Sequence, residues 1–82
     1  MAARLEALVE QRGWPDRIVI ALEQSLVGGT HRAGYGQEAD ASTATASTDL
    51  RRLLDAELIT ADGRGRAIRY YARDGLTKHV QG

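Results

Sequence analysis

The run from Ser42 to Tyr71 constrains this chain more than any other stretch. Ala46, Leu50, Leu53 and Leu54 recur at i, i+4, i+7 and i+8, the spacing of one helix face. Ser42 is placed to cap that helix, which the pattern predicts over 43–56. Ser47, Thr48, Arg51 and Arg52 fall away from the apolar face. Directly afterwards the pattern changes. Leu58-Ile59-Thr60 reads as a strand, Ala61-Asp62-Gly63-Arg64-Gly65 as a turn, and Ala67-Ile68-Arg69-Tyr70-Tyr71 as a returning strand rich in β-branched and aromatic residues. A polar-faced helix followed at once by a hairpin with arginine at its tip leaves few architectures open.

Upstream lie three shorter helical patterns. Leu5, Leu8 and Val9 share one face of a helix over 3–12, stopped at Gly13. Trp14-Pro15-Asp16 opens the next, because proline suits a first turn and an acid suits the positive helix end. Ile18, Ala21, Leu22, Ser25 and Leu26 form its face, and Gly28-Gly29 end it. Thr30 is the expected N-cap of a short helix over 31–39, with Ala33, Tyr35 and Ala39 buried and Asp40-Ala41 as the turn. Gly34 and Gly36 each cost that helix about 1 kcal/mol relative to alanine, so tertiary contacts must support it. Residues 73–82 show no pattern and are expected to fray.

The fold class expected is mainly α with a small β-hairpin (α+β): a winged helix-turn-helix with a three-helix core, an N-terminal helix and a two-stranded wing. Residues 1–13 are the N-terminal helix, 14–72 the winged domain and 73–82 a disordered tail. The 82 residues fit one domain. Without cysteine there is no disulfide framework, cysteine zinc site or thiol nucleophile, which agrees with a cytoplasmic location. Glu6 and Glu10 interrupt any signal-like apolar run, and no stretch is apolar enough for a membrane span.

The formal charge is zero, which weighs against a nucleic-acid partner, but it is unevenly spread. Residues 1–50 carry four arginines against seven acids, and residues 51–82 carry six arginines and Lys78 against four acids. The half that contains the wing is therefore basic.

Two helices, a short turn, a third helix with a polar outer face and a hairpin make a helix-turn-helix with its wing. A recognition helix needs an apolar face to hold it and hydroxyls and arginines opposite to reach phosphates and base edges. The candidate DNA-binding residues are Thr43, Thr45, Ser47, Thr48, Arg51 and Arg52 on the helix, with Arg64 and Arg66 on the wing. Each also has a structural reading. Ser42 and Thr45 can serve the cap. Arg51 and Arg52 can pair with Asp55, and the wing arginines can simply solubilise a tip. Arg69 reads better as the cross-strand partner of an acid.

His31 and His79 stand without a second ligand at metal spacing. Gly63-Arg64-Gly65 is too short for a phosphate loop. No nucleophile–base–acid set can be assembled, so neither an enzyme nor a cofactor or small-molecule substrate is expected. The partner expected is double-stranded DNA, bound by a homodimer or within a parent protein. The rival expectation is a protein-interaction or dimerisation module.

The run Ser42-Thr43-Ala44-Thr45-Ala46-Ser47-Thr48-Asp49-Leu50-Arg51-Arg52-Leu53, followed by Gly63-Arg64-Gly65-Arg66 and Ile68-Arg69-Tyr70-Tyr71, resembles the winged-helix domain at the C-terminus of many Fic-family proteins. Tyr35 matches a tyrosine of the preceding helix in that pattern, and the resemblance spans roughly residues 14–71. Bacterial winged-helix regulators share much of it. It implies a DNA-binding or regulatory accessory domain. Two departures stand out. Glu57 occupies a place where the family has glycine, which predicts a loosely defined helix end. The Fic His-Pro-Phe motif and its Gly-Asn-Gly-Arg loop are missing, so AMP transfer is not expected of this chain, whether it is a fragment or a stand-alone relative.

Overall fold

Apolar faces at helical spacing need something to pack on, and here they meet around one core. The structure, a computed structural model, describes residues 2–81, the side chains of Ala2, Arg66 and Gln81 excepted. Helix α1 (Ala2–Gln11) buries Leu5, Leu8 and Val9 against α2 (Ile18–Leu26), which contributes Ile18, Val19, Ala21 and Leu22. The regular part of α2 starts later than the Trp14-Pro15-Asp16 signal. The carbonyls of Pro15, Asp16 and Arg17 first accept N–H groups three residues on, a tight 3-10-like lead-in.

Helix α3 (Arg32–Glu38) buries Tyr35 and Gly36, while Ala33 is exposed rather than buried. Two residues turn a helix through about 200°, so Ala33 and Tyr35 cannot share a face. Gly36 resolves the conflict with propensity. A Cβ there would lie 3.1 Å from the Ala41 carbonyl and 3.5 Å from Ala46 Cβ, so glycine lets α3 lie close on α4.

Thr30 does not cap α3. Its N–H and C=O both pair with Tyr70 at 2.8 Å, and its hydroxyl donates to Gln24 Oε1 at 2.6 Å. With Thr30 held in that bridge, the cap position passes to His31, which makes no side-chain cap bond.

Helix α4 (Thr43–Asp55) begins as expected, with Ser42 Oγ accepting the Thr45 N–H at 3.1 Å. Its end corrects the expectation of a loose terminus. The Glu57 N–H reaches the Leu54 carbonyl at 3.0 Å, and the Leu58 N–H reaches the Leu53 carbonyl at 3.1 Å. That is the closed bond pair of a Schellman cap. Glu57 takes the left-handed position itself, at φ +60°.

Strands β1 (Ile59–Asp62) and β2 (Arg69–Ala72) pair antiparallel, from Ile59 opposite Ala72 to Asp62 opposite Arg69. Both start later than the sequence signals, and Ala67 and Ile68 belong to the turn. Gly63 starts the reversal at φ +98°, where a Cβ would meet the Ala67 carbonyl at 2.6 Å. A 3-10 turn over Gly65–Ala67 then leads into β2. Tyr70 packs against the core and Tyr71 is exposed. The architecture is mainly α with a small antiparallel hairpin, in a winged-helix-like order.

Residues 74–81 correct the expectation of a frayed end. They form α5 (Asp74–Gln81), with Leu76 fully buried and Val80 packed on the core. Arg4 Nη1 donates to the His79 carbonyl at 3.4 Å, joining α5 to α1. Asp74 in the first turn and Lys78 in the last complement the helix dipole. Among the described residues, no helix is long and apolar enough to cross a membrane.

One polar cluster joins the three central helices. Asp49 of α4 is only 1% exposed, yet its carboxylate accepts from Arg17 Nε (2.7 Å), Arg17 Nη2 (3.1 Å) and the Tyr35 hydroxyl (2.7 Å). Burial alone would push the Asp49 carboxyl up, but these hydrogen bonds outweigh it and hold the group below its usual range. Burial, together with the bond to Asp49, pushes the Tyr35 phenol up.

A carboxyl that is more acidic when folded stabilises the fold above its unfolded pKa of about 3.9. That contribution is lost as pH falls through the lower, folded value. Urea unfolding across a pH series is therefore expected to show a stability loss in acid that Asp49→Asn reduces. Asp49→Ala is expected to lower unfolding free energy by about 3 kcal/mol, the low end for a broken buried pair, because Arg17 can rehydrate. Glu57→Gly is expected to raise stability by about 0.5–1 kcal/mol in the same assay, since glycine relieves the left-handed strain but costs more chain entropy.

Candidate nucleic-acid interface

With Ala46, Asp49, Leu50 and Leu53 turned inward, helical geometry sends Ala44, Thr48, Arg51 and Asp55 outward, and all four are exposed; Thr43, in register with Ala46 and Leu50, is exposed because it opens the helix. Ser47, Arg52 and Thr45 lie on the shoulders, half-buried. The eight residues expected from the sequence therefore separate by role.

Thr45 belongs to the cap. Its N–H bonds Ser42 Oγ, and its hydroxyl accepts from the Ser42 hydroxyl at 3.0 Å. Thr48 donates its hydroxyl proton back to the Ala44 carbonyl at 3.0 Å, which leaves its oxygen as an outward acceptor. Ser47 accepts from Arg32 Nη1 at 3.5 Å. Thr43 stands free at the first turn, where the helix also presents unpaired backbone N–H groups.

Arg51 is exposed, and neither it nor Arg52 forms the ion pair with Asp55 that their spacing allows. Among the described residues, Arg17–Asp49 is the only ion pair. Arg52 has an internal use, since its charge helps keep Asp49 ionised. Asp55 closes the exposed row with a negative charge, so a polyanion is favoured near the N-terminal turns of α4 and disfavoured at its end.

On the wing, Arg64 is exposed in extended backbone just before the 3-10 turn. The side chain of Arg66 lies outside the described residues. Arg69 faces Asp62 in the strand register, yet no ion pair joins them.

Two residues of the site escaped the sequence reading. Arg32, exposed at the first position of α3, reaches across to Ser47 on α4. Asp49 holds the helix in place. A signal for Asp49 was present: Ala46, Asp49, Leu50 and Leu53 stand at i, i+3, i+4 and i+7, so an acid interrupts an apolar face and needs a buried partner. Nothing local to Arg32 marks it, because its neighbours on α4 and the wing are distant in sequence.

No protein-family model matches this sequence, and no curated protein is detectably similar to it.

The division between capping and outward hydroxyls can be measured. Ser42→Ala is expected to lower stability by about 1 kcal/mol and to speed amide exchange in the first turn of α4. Thr43→Ala is expected to leave both within about 0.5 kcal/mol of the parent protein, as an exposed substitution should.

Proposed function

We propose that this chain is a DNA-binding module, with α4 entering the major groove and the wing resting on the flanking backbone. The observation that carries the reading is the exposed pair Thr48 and Arg51 on the outer face of a helix held from behind by Asp49, with Thr43 exposed at its first turn and Arg64 exposed on the adjoining wing. Thr48 and Arg51 are the base-edge candidates and Arg64 a phosphate contact. Ser47, Arg52 and Arg66 extend the expected surface. Such a module buries only about 600–1,000 Å² on DNA. With zero net charge, one copy binds weakly and works best as a homodimer or as a domain of a larger protein. Its sequence pattern suits a cytoplasmic bacterial regulator, or an accessory domain of the Fic type that has no catalytic part of its own.

The rival reading, a protein-docking module, predicts that the arginines are satisfied by acids of their own domain and that α1 exposes an apolar patch. Arg51 and Arg64 make no ion pair among the described residues, and Leu5, Leu8 and Val9 are buried. Both observations favour DNA.

A chemical-shift titration with mixed-sequence duplex tests the reading. Residues 43–51 and 63–66 are expected to respond together at low salt. Arg64→Ala is expected to weaken binding equally on all sequences and to reduce its salt dependence. Thr48→Ala and Arg51→Ala are expected to change sequence preference by about tenfold at one base position. Absence of any response at low salt on every duplex tried overturns the proposal.

A further inference from the structure

We infer that Arg32 is a phosphate contact separate from the recognition helix and the wing, and that the cleft beside it seats the sugar–phosphate backbone of one strand. The inference rests on the DNA-binding reading above and adds where the strand runs between its two contact elements.

Three observations carry it. Arg32 stands between α4 and the wing: its guanidinium lies 3.5 Å from Ser47 Oγ, and its side chain lines a cleft of about 280 Å³ with Gly65, Ile68 and Tyr70 of the hairpin. It also lines the neighbouring cleft, which runs to Thr43 at the start of α4. A strand contacting both Thr43 and the wing tip is therefore led past Arg32.

The second observation is charge. Arg32 is exposed and takes part in no ion pair among the described residues. Among the described residues no carboxylate lines the hairpin-side cleft, whereas Asp40 lines the neighbouring cleft and Asp55 the groove beside Arg51. A negatively charged ligand meets no lining carboxylate in the first, whereas each of the other two holds one, so the phosphate is placed in the hairpin-side cleft.

The third is the mixed lining. Arg32 and His31 supply nitrogen donors, while Ala33, Gly65 and Ile68 supply uncharged, weakly polar wall. A nucleic-acid strand has the matching alternation, a charged phosphate followed by an apolar sugar face. An arginine fork also fits phosphate oxygens in two-point contact. Arg32 Nη1 comes within 3.5 Å of Ser47 Oγ, which places that fork beside the recognition helix.

The test compares the whole chain with Arg32→Ala and Arg32→Lys on a short duplex at stepped salt, with Arg64→Ala alongside. Arg32→Ala is expected to bind about fivefold more weakly on every sequence and to lose about one unit of salt slope. Arg32→Lys is expected to keep the slope and lose part of the affinity. Thermal midpoints should stay at the parent value. If Arg32→Ala melts early, Arg32→Gln with the same measurements decides.

If the parent protein binds and Arg64→Ala weakens it, but Arg32→Ala matches the parent in affinity and slope, the Arg32 inference is overturned and DNA binding stands. If the parent binds no duplex, both fall. If polyglutamate competes as well as duplex, the cleft takes acidic peptide and the inference is overturned.

Discussion

Everything outward on α4 depends on one inward group, the Asp49 carboxylate. A buried charge is tolerated only when it is paired and hydrogen-bonded. Asp49 meets that condition through Arg17, which leads into α2, and through Tyr35 of α3. Asp49 and its two partners lie on three different segments, so the roll and depth of α4 are set by satisfying them together. An apolar contact would tolerate small rotations. This constellation does not, because a turned carboxylate strands a charge. The face presented by Thr48 and Arg51 follows from that geometry.

Elsewhere the fold overrides local preference where packing demands it. Gly36 weakens α3 as an isolated helix but lets α3 and α4 approach closely, and α3 buries Tyr35 beside the pair it serves. Asp40 and Glu57 both take left-handed backbone at helix ends, where glycine is the easier residue. In each case the chain reverses within a few residues and the next element lands on the core. Thr30 shows the same priority in another form. It gives up the capping role its type favours and pairs with Tyr70, which ties the hairpin to the end of α2.

These choices make a surface out of separate elements. α4 is fixed through Asp49, the wing is fixed through Thr30, and Arg32 lies between them. The functional proposals depend on that relation more than on any single side chain. A polyanion is bound by charges at set spacings, and the spacings here come from the core.

The sequence by itself determined the order of four helices and a hairpin, the apolar faces of α1, α2 and α4, the Ser42 cap and the wing turn at Gly63. These are local properties, written in periodicity and in residues with strong conformational preferences. It also marked Thr43, Thr48, Arg51 and Arg64, because residues off an apolar stripe or at a turn are exposed in nearly any packing. The tertiary structure alone decided that Asp49 pairs with Arg17 and Tyr35, that Thr30 bridges to Tyr70, that α5 docks on α1, and that Arg32 lies between α4 and the wing. Leu76 and Val80 are too short a pattern to announce a helix, and the His79–Arg4 contact that anchors it spans 75 positions. Arg17 and Asp49 lie 32 positions apart. Pairings at that range follow from how whole elements pack, and no local pattern encodes them.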